Sequence, residues 1–448
     1  MNRYFIYIPF LIKQFLFHFV SLNTFRKRYS GNFKANLDFF LKYNDEHQLL
    51  PTSVVSLTKE IQILYGCGSV RKISDFEIID KRMLKKMISD TDYYKKISFK
   101  DSLATSGSTG NPLQVPVDRE FLKYKFASSY FFKEIHGSGI KTKSGNFFGR
   151  KIFSVNQEKP PFWIYSIFTN QLLFSQYHLN EKTIGFYIKS ISKYKLKTIH
   201  GYPSVLVIFS ELVRKANLIT ELHNLKISNI TVGSETLTDN QRKFIEDTFN
   251  CPVFNFYGQT ESVVDIFECE KGSLHINEAF SYVELIKTED DMVYQLVGTQ
   301  LKNEKFPLIR YNTGDLVEYD PNFVCSCGRT SRVVSKIIGR NEDFIILKNN
   351  SKIGRLDHIF KNTGNIIESQ IIQRKKGEAI FKIVKSELFM DKDQMTLERN
   401  IKEILGDDFL FSFDYCDNIQ KSKNGKLKQV INLINVAESN LINHNLNL

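Results

Sequence analysis

Between Asn180 and Tyr257 the apolar positions switch repeatedly between a helical and an extended period. Ile184 to Ile191 keeps one apolar face at helical spacing, and the short run Leu196-Lys197-Thr198-Ile199 after it predicts a strand. Gly201-Tyr202-Pro203-Ser204 opens a second helix that runs through Val213. Ile227 to Val232 predicts another strand, Gly233 a turn, Thr238 to Phe249 a helix, and Val253 to Phe256 a strand. This alternation predicts the α/β class: a large N-terminal domain with mainly parallel sheets flanked by helices. In such sheets ligands bind at the carboxyl ends of the strands. Gly233-Ser234-Glu235 and Tyr257-Gly258-Gln259-Thr260-Glu261 both fall at predicted strand ends.

Beyond Arg340 the texture changes. Ile345-Ile346-Leu347, Ile366 to Gln373, Ala379 to Val384, a helix around Met395 to Leu405, and Phe409 to Tyr415 compose a small α+β module. About 110 residues are enough for an independent domain, and a chain of 448 exceeds what one core usually serves. The predicted division is 1–340 for the large domain and 341–448 for a small mobile lid, hinged at Asn341 to Asp343 and so including Glu342.

The N-terminal segment from Tyr4 to Phe19 is strongly apolar and aromatic, but Pro9, Lys13, Gln14 and His18 interrupt it before it could span a bilayer. No acidic residue precedes Asp38, and Arg26, Lys27 and Arg28 close the segment. Two readings of residues 1–30 stay open: an amphipathic helix packed on its own domain, or an interfacial helix resting on anionic lipid.

Composition narrows the function classes. With 42% hydrophobic and 25% charged residues the chain is globular rather than disordered. A net charge of +12 suits an anionic partner such as ATP, CoA or an acidic membrane surface. No base-reading motif accompanies that charge, so no nucleic-acid partner is expected. Six cysteines in a chain of this length do not make a secreted disulfide framework, and no cleavable signal peptide is evident, so a cytoplasmic location is expected. Peripheral contact at the inner face of a membrane is the alternative that residues 1–30 allow. Oligomeric state is not legible.

The candidate chemistry begins at Thr105-Ser106-Gly107-Ser108-Thr109-Gly110, four hydroxyls and two glycines in six residues. Such a loop can wrap a phosphate with backbone N–H groups while presenting O–H donors. Alone it reads more readily as a solvent-exposed Ser/Thr/Gly linker. It is not a Walker loop, because Asn111 and Pro112 follow Gly110 where Lys-Ser/Thr is needed. Further along stand Val232-Gly233-Ser234-Glu235, Asn255-Phe256-Tyr257-Gly258-Gln259-Thr260-Glu261, Arg310-Tyr311-Asn312-Thr313-Gly314-Asp315-Leu316, Ile338-Gly339-Arg340 and Ser422-Lys423-Asn424-Gly425-Lys426. In that order and at those separations they resemble the motif set of the adenylate-forming superfamily of acyl-CoA synthetases, within it the phenylacetate-CoA ligase branch and its CapK-like members. The resemblance runs from the Ser/Thr/Gly loop to Lys426.

The resemblance implies ATP-dependent activation of a carboxylic acid as its acyl-adenylate, with Mg²⁺, and transfer of the acyl group to CoA, a sugar or another acceptor. It also implies a place in capsular or other surface polysaccharide biosynthesis. By the same resemblance Ser106, Ser108 and Thr109 hold the β- and γ-phosphates, Glu261 holds Mg²⁺, and Tyr257 lies against adenine. The Gly233-Ser234-Glu235 backbone lines the opposite face, Asp315 binds the ribose, and Arg340 contacts ribose or phosphate. Glu342 stands at a hinge position that is commonly aspartate, and Lys426 matches the catalytic lysine of the small domain. Asn111 stands where many members carry a lysine, which weakens the phosphate clamp. Tyr202 and Asp265 are the expected acyl-pocket residues. The identity of the acid is not legible. The competing expectation is a nucleotide-binding scaffold at the membrane that has lost turnover.

One constellation is independent of ATP. Cys269, His275, Cys325 and Cys327 offer three thiols and an imidazole, enough for a closed tetrahedral zinc site. Without metal they are four ordinary side chains, as Cys67, Cys251 and Cys416 are expected to be.

Overall fold

A computed structural model of the chain describes residues 8–45, 54–56, 65, 70–90, 102–104, 114–148, 152–154, 157–304, 306–340, 345–348, 352–353, 356–360, 363, 365–420 and 427–434. Its centre is a twelve-stranded mixed sheet. The strands are β1 (Ser144–Phe147), β2 (Trp163–Ser166), β3 (Gln171–Phe174), β4 (Thr198–Gly201), β5 (Asn229–Gly233), β6 (Val253–Gly258), β7 (Asp265–Glu268), β8 (Leu274–Ile276), β9 (Ser281–Lys287), β10 (Val293–Gln300), β11 (Tyr311–Tyr319) and β12 (Val333–Arg340). Their order is β9-β10-β11-β12-β8-β7-β6-β5-β4-β1-β3-β2.

The block β3-β1-β4-β5-β6 is parallel throughout. It contains the region where the alternation of periods lies. The helices Ile184–Tyr194, Pro203–Lys215 and Asp239–Phe249 connect or flank its strands. Beyond β6 every pairing is antiparallel, from β6 with β7 out to β9 with β10. The sheet is therefore of two textures, and their seam lies at β6, where Tyr257-Gly258 ends the last parallel strand.

Both faces of the parallel block are buried, as such sheets require. Phe147, Tyr187, Val205, Phe209, Ile230 and Phe249 share one core there. A second core under the antiparallel strands includes Val264, Leu296, Tyr311 and Val317. The helix Arg119–Ile135 packs beneath β7, with Phe131 edge-on to Phe267 at 5.0 Å. Asp118 caps its N-terminus by accepting the Phe121 N–H at 2.6 Å.

The C-terminal part forms its own four-stranded sheet from Ile366–Lys375, Glu378–Lys385, Leu410–Tyr415 and Val430–Asn432, covered by the helix Asp391–Leu405. Ile371, Phe381, Leu397 and Ile401 are its fully buried centre. Val384 and Ile419 leave that core and join the one beneath the parallel block. Lys215, at the end of the helix Pro203–Lys215, lies 3.6 Å from Glu387 across the same boundary. Among the described residues no helix is long and apolar enough to cross a membrane.

The helix Phe10–Tyr29 docks on β2, the edge strand. Its Gln14 side chain donates to the Tyr165 carbonyl at 2.7 Å and accepts the Tyr165 N–H at 3.2 Å, as a neighbouring strand's peptide would. Lys13, Phe17 and Ser21 are the residues of this helix that are buried.

Candidate functional site

The site is built at the seam. β5 and β6 end side by side, with Gly233 opposite Phe256. A Cβ on Gly233 would stand 2.6 Å from the Phe256 carbonyl oxygen, so only glycine lets the two backbones approach this closely. Ser234 then turns the chain with φ of 68°, which sends Glu235 back over the sheet's end.

Tyr257 points from the end of β6 toward β11, where its hydroxyl donates to Asp315 Oδ2 at 2.5 Å. Burial, and then Asp315 itself, raise the Tyr257 phenol well above its ordinary range, so it stays a neutral donor. Asp315 is projected by a local device of Asn312-Thr313-Gly314. Asn312 Oδ1 accepts the Gly314 N–H at 2.9 Å and Thr313 Oγ1 accepts the Asp315 N–H at 3.0 Å. Gly314 has φ of 75°, and the register with β10 shifts between Gln295 and Val297. The pattern that alone reads as a turn is thus a bulge inside a strand. Across the next pairing Asp315 is the register partner of Arg340. Arg310 secures the start of β11 with a two-pronged ion pair to Glu284, at 3.0 and 2.9 Å.

The loop after β6 is held from three sides. Gln300 donates to the Glu261 carbonyl at 2.6 Å, and Tyr311 donates to Glu261 Oε1 at 3.3 Å. From beneath, Lys125 of the helix Arg119–Ile135 donates to Ser262 Oγ and reaches the Gln259 and Thr260 carbonyls at 3.4 Å each. Desolvation lowers the Lys125 ammonium to about 8, against the pull of Asp265 and Glu261. Asp265 is buried under Gly258 and accepts the Ser128 hydroxyl at 2.6 Å, while Asn277 donates to Ser128 Oγ at 2.9 Å. Burial pushes the Asp265 carboxyl up to about 6. Neither Lys125 nor Ser128 carries a motif signal in the sequence; both arrive from a helix more than 130 residues upstream.

Glu235 joins two domains. Its Oε2 accepts the Ser204 N–H at 3.1 Å and its Oε1 accepts the Ser204 hydroxyl at 3.2 Å. Tyr202, at the N-cap of the helix Pro203–Lys215, gives that helix no side-chain cap, so Glu235 supplies the anionic acceptor from another loop. The same Oε1 accepts the backbone N–H of Leu427 at 3.1 Å. Tyr202 itself is buried, edge-on to Phe148 at 5.0 Å. Ser106, Gly107, Ser108, Thr109, Gly110, Glu342 and Lys426 lie outside the described residues, as does the side chain of Arg340.

The ligand atoms of Cys269, His275, Cys325 and Cys327 all lie within 4.8 Å of one another. Cys269 Sγ and Cys325 Sγ are 3.7 Å apart. Two thiolates at about 2.3 Å from one tetrahedral ion are about 3.8 Å apart, so the geometry fits zinc. Cys327 Sγ lies 3.3 Å from His275 Nε2, and His275 Nδ1 is 3.0 Å from Ser331 Oγ, the kind of outer partner that fixes a ligating imidazole. The Lys271 and Cys327 N–H groups each donate to a cysteine sulfur at 3.4 Å, which favours thiolate. The five described cysteines form no disulfide.

Sequence comparison gives the family. The chain is 30% identical over 375 residues to Protein CapK of Staphylococcus aureus, covering 82% of this chain and 81% of that protein. This chain belongs to the CapK family. Residues 345–433 match the model of the CapK C-terminal domain, which coincides with the second sheet. A phenylacetate-coenzyme A ligase of Thermus thermophilus is 26% identical over 279 residues, covering 54% of this chain and 62% of the relative. In three dimensions this CapK member superposes on 2-hydroxyisobutyryl-CoA ligase in its postadenylation state with a TM-score of 0.60, at 14% identity over 92% of this chain and 91% of the other. An anthranilate CoA ligase gives 0.51 at 11% identity, over 73% and 65%. The fold is that of the adenylate-forming ligases.

Proposed function

We propose that this CapK family member activates a carboxylic acid with ATP and Mg²⁺ as an acyl-adenylate, and passes the acyl group to CoA or another nucleophile. The observation that supports this best is the bond from the Leu427 N–H to Glu235, because it brings Leu427, the residue that follows Lys426 in the sequence, to the Gly233-Ser234-Glu235 motif at the strand end. In the first step a carboxylate oxygen attacks the α-phosphorus and the bond to pyrophosphate breaks. In the second the acceptor attacks the acyl carbon and AMP leaves. Catalysis of this kind is mainly positioning and charge stabilisation.

Each residue has a share in that work. Glu261 offers a hard oxygen ligand suited to Mg²⁺, which supplies charge neutralisation on the phosphate oxygens. Asp315, oriented by Tyr257, accepts from the ribose hydroxyls, with Arg340 beside it in register. The Ser106 to Gly110 loop receives the leaving phosphates, and Lys426 bridges the acid and the α-phosphate when the lid closes about Glu342. Tyr202, and Asp265 behind Gly258, shape the acid's side of the site. The Cys269, His275, Cys325 and Cys327 cluster holds a structural zinc. Membership of the CapK family is the sole support for a role in capsular or other surface polysaccharide assembly.

The test is to incubate the protein with ATP, Mg²⁺ and a panel of aryl, fatty, amino and sugar acids, with and without CoA, and to follow pyrophosphate and AMP. Acid-dependent pyrophosphate release that Lys426→Ala abolishes, with ATP affinity retained, establishes the reading. ATP binding without acid-dependent turnover on any member of the panel overturns it in favour of a nucleotide-binding scaffold.

A further inference from the structure

The helix Phe10–Tyr29 carries apolar side chains on two faces. Against the domain it sets Gln14, Lys13 over the Phe153 ring at 4.4 Å and the buried Phe17 and Ser21, with Phe10 beside Phe17, Phe25 against Phe168 at 6.2 Å and Tyr29 against Tyr130 at 5.1 Å. Six further large apolar side chains face outward: Leu11 is 79% exposed, Phe15 61% and Phe19 59%, with Ile12, Leu16 and Val20 beside them. These six positions advance by three and four, so they form one continuous stripe along three turns. Phe15 and Phe19 pack edge to face at 5.1 Å on that open surface. A helix normally turns its apolar stripe to its own core, and a contiguous patch left in water marks a contact surface.

The charge around the stripe selects the partner. The exposed Arg26 continues the same face one turn beyond Asn23 and Lys27 follows it, whereas Arg28 stacks on Phe126 of the domain at 4.1 Å. The first 37 residues hold Arg3, Lys13, Arg26, Lys27, Arg28 and Lys34 and no acidic residue. An apolar aromatic stripe bordered by cations matches the headgroup and acyl boundary of an anionic bilayer. We propose that the outward face of Phe10–Tyr29 seats the protein on an anionic membrane surface, lying in its plane rather than crossing it. The inference is independent of the ligase reading, since lipid binding requires no turnover.

The full-length protein is mixed with phosphatidylcholine vesicles, with and without about one-third phosphatidylglycerol, and the bound fraction is read by sedimentation. Binding is expected to the anionic vesicles, to weaken with salt, and to fall about tenfold or more in Phe15→Ser/Phe19→Ser. Arg26→Gln/Lys27→Gln is expected to weaken binding to anionic vesicles without touching the stripe. Unchanged near-ultraviolet circular dichroism establishes that the variants are folded. No binding to anionic vesicles, or equal binding by the Phe15/Phe19 variant, overturns the proposal. So does a lipid-free dimer that this variant dissolves, which assigns the stripe to a second copy of the chain.

Discussion

Glu235 and Leu427 are 192 residues apart and share one hydrogen bond of 3.1 Å, carboxylate to backbone N–H. Because the same carboxylate also takes both donors of Ser204, the contact to Leu427 is made by a group already fixed on the large-sheet side. Leu427 thus meets a pre-oriented acceptor, and the bond costs little side-chain entropy.

Replacing Glu235 with alanine leaves the Ser204 and Leu427 donors without that acceptor. A hydrogen bond to a charged group contributes about 1.5–3 kcal/mol, so acyl-adenylate formation is expected to slow by about tenfold to a hundredfold. ATP affinity, measured by calorimetry, should move by less than about threefold, since the reading gives the adenine the backbone of Gly233-Ser234-Glu235, which the substitution keeps, and not the Glu235 side chain. An unchanged rate of pyrophosphate release in Glu235→Ala would show that the bond does no positioning.

Lys125 holds the loop that carries Glu261 only while it is charged. Its ammonium, lowered by burial to about 8, is lost as the pH rises through that value. The rate of adenylate formation should therefore fall above about pH 8, and the fall should be absent in Lys125→Arg, whose guanidinium stays protonated. A pH–rate profile of the two proteins side by side decides this. Lys125→Met should be slow at every pH, with a raised Mg²⁺ requirement.

Asp265 sets a slope of stability against pH. Its carboxyl is raised by burial from 3.8 to about 6, so between those values the folded protein holds a proton that the unfolded chain has released. Stability contributed by this group is complete below about pH 4 and is lost as pH rises through 6. Two pH units correspond to about 3 kcal/mol. Urea unfolding at the two ends of this window should show Asp265→Asn with a flatter dependence than the parent; an identical slope would locate the titrating group elsewhere.

The cysteine–histidine cluster is expected to carry one zinc per chain by elemental analysis. Cys325→Ser should lose it, and a chelator should lower the Tm of the parent by ~5 °C or more, because metal binding to a preformed site adds to folding stability. The same chelator should leave the Tm of Cys325→Ser nearly unchanged, which separates metal loss from a general effect on the fold.

How far the sequence could be read depends on whether a contact is local. The alternation from Ile184 to Phe256 is written in periods of 3.6 and 2, and the strands β4, β5 and β6 with their helices lie within a few residues of the expected places. The C-terminal runs at Ile366, Ala379 and Phe409 likewise became paired strands. The antiparallel half from Asp265 to Arg340 was not legible as a sheet, since pairing of β8 with β12 joins Leu274 to Val334 and His275 to Val333, far apart in the chain, and no local pattern encodes a partner. Cys269, His275, Cys325 and Cys327 were found because metal-ligand side chains announce themselves by type. Lys125 and Ser128 were missed because their roles exist only through burial. Asp265 was expected as an acyl-pocket residue; its burial beneath Gly258 and its bond to Ser128 join distant segments and are not written in any local pattern. The outward stripe of Phe10–Tyr29 could not be foreseen either, since apolar periodicity tells which residues share a face but not which way that face points.

The paired bonds between the Gln14 amide and the Tyr165 backbone have a practical reach beyond anchoring a helix. β2 ends the sheet, and an uncovered edge strand is a template for pairing with another molecule. Gln14 occupies the Tyr165 donor and acceptor that a stray strand would take. Trimming the greasy N-terminus to improve handling would therefore open the sheet's flank, and the shortened protein should be the more prone of the two to self-associate into aggregates.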